Sequence, residues 1–213
     1  MTSRRAWVTT SLVALAVVLV AQGVAHAIAV FGFDSVTSVV DLNANEGVPD
    51  IVSTLAIAAA AIGAARLGRS APARRAGPWA LCGLLLLVAV ADILHTGIES
   101  LSALGVALAL VLAGVVVLTW RIARRTGRPV ATLLDAGLAC LIGSVVVAFV
   151  FHRVDGYLDV ARGDVVYEGK AILKQGLELA GWWLLALGLW AAVPPVTDPS
   201  AAPLVDDSAL ARS

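Results

Sequence analysis

The sequence predicts an all-α fold, a polytopic transmembrane helical bundle with about six spans. Of the 213 residues, 60% are hydrophobic and only 14% are charged, and the mean hydropathy is +0.92. A soluble domain carries about a quarter charged residues, so a chain this apolar cannot cover its surface in water. Its apolar residues also form long continuous runs, whereas the strands of a membrane barrel would show short alternating segments.

Each of the six runs approaches the roughly 20 residues that a helix needs to cross the hydrocarbon core. Together they form one transmembrane domain over residues 1–193, without an internal repeat at a fixed period. Residues 194–213 are rich in Pro, Ala, Ser and Asp, and we expect them to be a disordered cytoplasmic tail. The predicted spans are 7–33, 50–67, 79–97, 101–120, 130–152 and 169–193.

The spans differ in character. Span two contains the Ala-rich run 56–63, whose small side chains let neighbouring backbones approach closely. Span four has almost no polar residue after Ser102, so we expect it to face lipid. The connection 153–168 carries four acids without the spacing of metal ligands, and we expect it to be solvated or interfacial.

The arginines predict the orientation. They cluster before span one and in the second and fourth connections, while acids dominate the other three connections. The positive-inside rule then places both termini in the cytoplasm of a multi-pass protein of the plasma (inner) membrane. The lipid bilayer is the expected partner, and nucleic acid is not, because a net charge of zero leaves no basic face. The preference for Arg over Lys, with abundant Ala, Val and Leu, indicates a bacterial source.

The first span has a competing interpretation. Arg4-Arg5, an apolar run and Ala25-His26-Ala27 together resemble a secretory signal with an A-x-A cleavage site after Ala27. The apolar run continues to Phe33, however, which makes it long enough to span. We expect an uncleaved first span, and cleavage after Ala27 stays the alternative. Cleavage would leave the orientation of the other spans unchanged.

Ionisable residues inside spans cost a few kcal/mol each on insertion scales, so each one is a candidate for function. Asp92, His95 and Glu99 are spaced i, i+3 and i+7, which places them on one face of span three. A carboxylate and an imidazole on one face can bind a metal, relay a proton or act as a base. The alternative is a buried polar bridge that fixes helix packing.

Most polar residues of the other spans lie at a similar depth, in the extracytoplasmic half. We expect them to line a polar pocket that opens to the outside. Some also have structural interpretations, since Lys174 and Glu178 are one turn apart and can neutralise each other, and Ser53 can bond to helix carbonyls. The pocket candidates are His26, Ser53, Asp92, His95, Glu99, His152, Lys174 and Glu178.

Several short motifs occur in order along spans two to six. They are Asp41-Leu42-Asn43, Pro49, Ser53-Thr54, Asp92 with Glu99, and Leu177-Glu178 before Gly181-Trp182. In these motifs the chain resembles a family of uncharacterised bacterial multi-pass membrane proteins. It departs from the family at Ile98, where the family has His, and at Lys174-Gln175, where the family has a Glu pair. The resemblance implies the architecture and the pocket, and no particular reaction.

Three functions stay open. The pocket can bind or pass a small solute, an ion or a proton. Alternatively, His26, Asp92, His95 and His152 hold a metal such as zinc in an intramembrane hydrolase that acts on a lipid or amide. That arrangement is similar to the ceramidase-like membrane hydrolase superfamily, although those proteins have seven spans and tighter His spacing. In the third alternative the chain is an accessory or assembly subunit whose polar groups serve helix packing.

Overall fold

Six α-helices make up the parts of the chain that the structure describes. The structure is a computed structural model and describes residues 2–32, 48–70, 76–94, 103–158 and 164–194. Each predicted span falls on one helix, and the all-α prediction is confirmed for these residues. Residues 195–213 of the predicted tail lie outside them. The helices are α1 (Thr2–Gly32), α2 (Val48–Ser70), α3 (Ala76–Ile93), α4 (Ala103–Ala123), α5 (Arg128–Leu158) and α6 (Val165–Ala192).

Five of these helices are long and apolar enough to cross a membrane. Their candidate spans are Ala6–Phe31, Val48–Ser70, Ala76–Ile93, Gly105–Ala123 and Arg128–Val150. By length and composition the chain is therefore a multi-pass membrane protein in a lipid bilayer. Helix α6 is not among the five, and a sixth span through it stays a prediction.

Helices α2 to α6 pack in a closed ring, and α1 lies against α6. Around the ring, α2 contacts α3, α3 contacts α4, α4 contacts α5, α5 contacts α6, and α6 contacts α2. The core inside the ring combines small residues of α2, such as Ala60 and Ala64, with Leu85, Leu134 and Leu185 of the facing helices. Helix α6 has the most neighbours, because it contacts α1 as well as α2 and α5.

Glycines let α6 approach its neighbours closely. A Cβ added at Gly181 would lie 2.6 Å from Leu141 Cγ and 3.0 Å from the carbonyl oxygen of Gly137 on α5. A Cβ added at Gly63 of α2 would lie 2.8 Å from the indole of Trp190 on α6. Such contacts are shorter than van der Waals distance, so only glycine permits this backbone separation. Close packing of this kind is the main source of helix association in lipid.

One end of the bundle carries arginines stacked on tryptophans. The guanidinium of Arg66 lies 4.4 Å from the ring centroid of Trp190, and that of Arg124 lies 5.1 Å from the ring of Trp120. Arg69 is over the ring of Trp79 at 5.9 Å. Cation–π contacts and aromatic residues are typical of a membrane–water interface. This Arg–Trp end is the end that the sequence predicts to be cytoplasmic.

Replacing Trp190 with phenylalanine tests one contact of this end. The indole Nε1 of Trp190 donates a 2.8 Å hydrogen bond to the carbonyl oxygen of Ala59. Trp190→Phe keeps an aromatic ring and removes that donor, so we expect the free energy of unfolding to fall by about 1 kcal/mol. Denaturant unfolding in detergent measures the change. Trp120→Phe is the control, because its side chain is 48% exposed, and an equal loss in both variants would contradict the expectation.

Candidate functional site

At the end opposite the Arg–Trp end, polar side chains of α2, α3 and α6 form a group that we call the acidic cluster. It consists of Asp50, Thr54, Asp92, Lys174 and Glu178. Helix α2 begins at Val48 and carries Asp50 in its first turn, where a carboxylate faces the positive end of the helix dipole. Thr54 follows one turn later. The structure thus brings together three of the sequence's pocket candidates.

Thr54 connects α2 with α3. Its hydroxyl Oγ1 donates a hydrogen bond to Oδ2 of Asp92, in the last turn of α3. The two helices run in opposite directions, since Gly68 near the end of α2 lies beside Trp79 near the start of α3. Thr54 belongs to the Ser53-Thr54 motif of the sequence, and its partner on α3 was not predicted.

Glu178 brings α6 into the acidic cluster. The charges of Lys174, Asp92 and Asp50 all act on the Glu178 carboxylate. Helices α2 and α6 run in the same direction, because Gly63 of α2 lies beside Leu189 and Trp190 of α6. The acidic cluster lies about three turns before that contact on both helices. With three carboxylates and one ammonium group, the fully ionised cluster carries a net charge of −2.

Two buried polar atoms adjoin the acidic cluster. Ser53 Oγ and Trp182 Nε1 lack a hydrogen-bond partner within the described part of the chain, and their residues are only 4% and 3% exposed. Ser53 precedes Thr54 on α2, and Trp182 lies one turn from Glu178, whose carboxylate its indole approaches. A buried polar group without a partner is costly. Each of the two atoms therefore lies where a polar partner would stabilise it.

His26 of α1 and Glu168 of α6 form a second group, the histidine pair. Nε2 of His26 lies 2.8 Å from Oε2 of Glu168, and the residues are 0% and 1% exposed. The antiparallel contact of the two helices sets this distance, since Gly23 lies beside Ile172 and Gly176 beside Leu19. A buried imidazole and carboxylate at this distance are joined by a hydrogen bond.

Glu168 was placed by sequence reasoning in a solvated connection, and this placement is wrong. The side chain of Asp164 accepts a hydrogen bond from the backbone N–H of Val166 and caps α6, which begins at Val165. Glu168 therefore lies in the first turn of a packed helix. An Asp at the N-cap with an acidic residue in the first turn is a recognisable helix start, and this signal indicates the true boundary.

The histidine pair and the acidic cluster are separate. Glu168 and Glu178 are ten residues apart on α6, which is about 15 Å along the helix axis. His26 and Asp92 thus contact different partners at different depths. Among the side chains that the structure describes, no three His, Cys, Asp or Glu residues are placed to hold a metal ion.

The remaining candidates are only partly covered by the structure. His95 and Glu99 lie outside the described residues, and His152 lies on α5 at a position where the side chain is not described. Their predicted roles, including the predicted metal site with His26 and Asp92, stay predictions.

A partly open cavity of about 130 Å³ lies between α1 and α6, and its lining on α6 falls between Glu168 and Glu178 in sequence. Gln22 contributes a buried amide nitrogen, Nε2, that has no hydrogen-bond partner in the described ranges. Sequence reasoning did not identify Gln22, because a neutral amide on a single helix does not stand out by charge. The lining residues are Leu19, Gln22, Gly23, Ile172, Gln175 and Gly176.

Two groups of polar side chains from different helices therefore meet among the described residues. Carboxylates of α2, α3 and α6 belong to the acidic cluster, and a buried imidazole contacts a carboxylate in the histidine pair. Comparisons with protein-family models, with curated proteins and with solved structures found no match. The acidic cluster, the histidine pair and the cavity are therefore the features on which a functional proposal can rest.

Proposed function

We propose that this protein is a multi-pass membrane protein that binds and releases protons at the acidic cluster. One observation carries the proposal: acidic side chains of three helices meet within the bundle, where Asp92 of α3 accepts the hydroxyl of Thr54 on α2 and the buried Glu178 of α6 is within range of the charges of Asp92 and Asp50. Two uncompensated negative charges are unfavourable in a medium of low dielectric constant. The gain of a proton relieves that repulsion, so the cluster responds to the proton concentration outside.

Glu178 is the group to which we assign the exchanging proton. Asp92 already accepts a hydrogen bond from the Thr54 hydroxyl. Glu178 faces two other carboxylates and has Lys174 one turn away as a compensating charge. The Trp182 indole beside it is itself buried. Proton binding at Glu178 then changes the charge at the contact of α2, α3 and α6.

We infer that the acidic cluster lies in the extracytoplasmic half of the plasma membrane. The support is the distribution of charge between the two ends of the bundle. Arg66, Arg69 and Arg124 lie at the Arg–Trp end, and the positive-inside rule assigns such an end to the cytoplasm. This topology counts α6 as a sixth span, with both termini inside. The cluster would then exchange protons with the extracytoplasmic side.

Infrared difference spectroscopy of the purified full-length protein in lipid nanodiscs tests the proposal. When the pH is lowered, we expect a protonated carboxyl band to appear in the wild type and to be lost in Glu178→Gln. Asp135→Asn is the matched control, because Asp135 is an exposed acid near the start of α5, and the band should persist in it. Identical difference spectra in the wild type and Glu178→Gln would refute the assignment.

A metal analysis of the same preparations distinguishes the metal-dependent hydrolase from proton exchange. Stoichiometric zinc in the wild type that is lost in Asp92→Ala would favour the metal-dependent hydrolase over proton exchange. A protein that shows the Glu178 band and no such metal supports proton exchange.

A further inference from the structure

We propose that the outer side of α3 and α4 at the Arg–Trp end binds the headgroup of an acidic phospholipid. Four residues form this surface, which we call the headgroup site: Arg69 over Trp79 where α2 meets α3, and Arg124 over Trp120 at the end of α4. The basis is that two arginines without a carboxylate partner in the described ranges are held over two exposed indole rings. The proposal is independent of the acidic cluster, which lies at the opposite end of the bundle.

The two tryptophans of the headgroup site lie at the same level on neighbouring helices. A Cβ added at Gly114 of α4 would lie 2.7 Å from Cδ1 of Leu84 on α3, which marks the level where these helices meet. The two helices are successive candidate spans and so run in opposite directions. Trp79 precedes Leu84 by five residues and Trp120 follows Gly114 by six. Both rings therefore lie roughly 8–9 Å from that contact along the helix axes, toward the Arg–Trp end.

Both indole rings are exposed and have an available N–H group. Trp79 is 41% exposed and Trp120 is 48% exposed. Within the part of the chain that the structure describes, neither ring donates a hydrogen bond, whereas Nε1 of Trp190 at the same end donates to Ala59. An indole at a membrane interface keeps its ring among acyl chains and directs its N–H toward the polar part of the lipid.

The two stacked arginines keep their charge available for a phosphate. The guanidinium carbon lies 5.9 Å from the ring centroid for Arg69 over Trp79 and 5.1 Å for Arg124 over Trp120. A cation–π contact orients a guanidinium without neutralising it. Both arginines are exposed, and neither has a carboxylate within ion-pair distance among the described residues. A planar guanidinium matches a phosphate through two parallel N–H donors.

Apolar side chains continue this surface toward the middle of the two helices. Gly83, one turn after Trp79, is exposed, and a Cβ added there meets nothing within 4 Å, so there is open space next to the indole. Farther along, Leu87 and Val90 of α3 are 55% and 52% exposed, and Val117 of α4 is 53% exposed. A lipid held by its phosphate at the headgroup site can therefore lay an acyl chain along this face.

Charge favours an acidic phospholipid over a zwitterionic one. Phosphatidylglycerol has a phosphate and no cation of its own, whereas phosphatidylcholine carries a quaternary ammonium group that would face the two guanidiniums. Each basic residue near an anionic membrane surface strengthens binding by roughly fivefold. We therefore expect the headgroup site to prefer phosphatidylglycerol by about tenfold.

Quenching of tryptophan fluorescence by brominated phospholipids measures this preference in the full-length protein. Nanodiscs of phosphatidylcholine receive increasing fractions of either brominated phosphatidylglycerol or brominated phosphatidylcholine. In the wild type, we expect half-maximal quenching at an about tenfold lower fraction of phosphatidylglycerol. In the double variant Arg69→Gln with Arg124→Gln, the two lipids should quench alike.

Arg121→Gln with Arg125→Gln is the matched control. It removes two charges from the same end of the bundle, but neither of these exposed arginines stacks on a ring in the described ranges. The control should keep the wild-type preference for phosphatidylglycerol. Thermal unfolding in lipid-free detergent should be the same in the wild type and both double variants, because all four side chains are exposed.

Three results would overturn the inference. Equal quenching by both lipids in the wild type would show that there is no preference. An equal loss of preference in both double variants would indicate a general attraction between a basic end and an anionic bilayer. A preference that appears only after removal of residues 195–213 would mean that the aspartates of that segment, Asp198, Asp206 and Asp207, occupy the arginines instead of a lipid.

Discussion

Gly181→Leu is expected to separate α5 from α6 and to destabilise the whole bundle. The first added carbon would lie 2.6 Å from Leu141 Cγ and 3.0 Å from the carbonyl oxygen of Gly137. The leucine at position 141 can rotate, but the backbone carbonyl cannot move without displacing α5. Overpacking of this kind costs about 3 kcal/mol. Unfolding in mixed detergent micelles, followed by tryptophan fluorescence, measures the loss.

Two further glycine variants calibrate this result. Gly83→Leu adds the same side chain on α3, where an added Cβ meets nothing within 4 Å, and it should leave stability close to that of the wild type. Gly181→Ala adds only the first carbon, so its free energy of unfolding should lie between those of Gly181→Leu and the wild type. Wild-type stability in Gly181→Leu would show that α5 and α6 are not packed as closely as the structure has them.

His26→Ala is the second change with a large expected effect. It removes the imidazole that contacts Glu168, whose carboxylate stays buried on α6. Loss of one hydrogen-bonding partner of a buried polar pair costs about 1–3 kcal/mol, because the other partner keeps its desolvation penalty. We expect lower stability and a weaker contact between α1 and α6. A disulfide between cysteines placed at positions 23 and 172 reports that contact, and it should form less readily in His26→Ala.

The double variant His26→Leu with Glu168→Leu is the control for this prediction. Replacing both members of a buried pair with apolar residues is often neutral, because no unpaired charge is left. The double variant should therefore recover most of the stability that His26→Ala loses. If both are equally unstable, the loss comes from packing volume at position 26, and the electrostatic explanation is wrong.

The helices were largely predictable because the bilayer restricts their length and composition. A run long enough to cross the hydrocarbon core has no other way to satisfy its backbone groups, so each apolar run became a helix. Helix ends were less predictable. Helix α5 continues to Leu158, beyond the predicted end at 152, because backbone hydrogen bonds extend a helix whether or not its side chains are apolar.

The sequence predicted the depth of the site residues along their helices, but it did not predict which residues they contact. Counting along the spans placed Asp92 and Glu178 at similar levels, and their charges do interact. The same counting placed His26 in that pocket, whereas it contacts Glu168. Depth along one helix does not reveal which face meets which neighbour. The partner also lay outside the predicted span, since α6 is capped by Asp164, four residues before Glu168.

The position of α6 has a consequence for the order of events during synthesis. It follows the other five described helices in the chain, yet it closes the ring and is the neighbour of α1. The ring therefore stays open until α6 leaves the ribosome, and until then His26 lacks its contact with Glu168. In the assembled bundle His26 and Ala29 are buried, whereas Ile28, the residue after Ala27, stays 51% exposed. Arrival of the last helix therefore covers the central residue of the Ala25-His26-Ala27 sequence and leaves the side chain that follows it accessible.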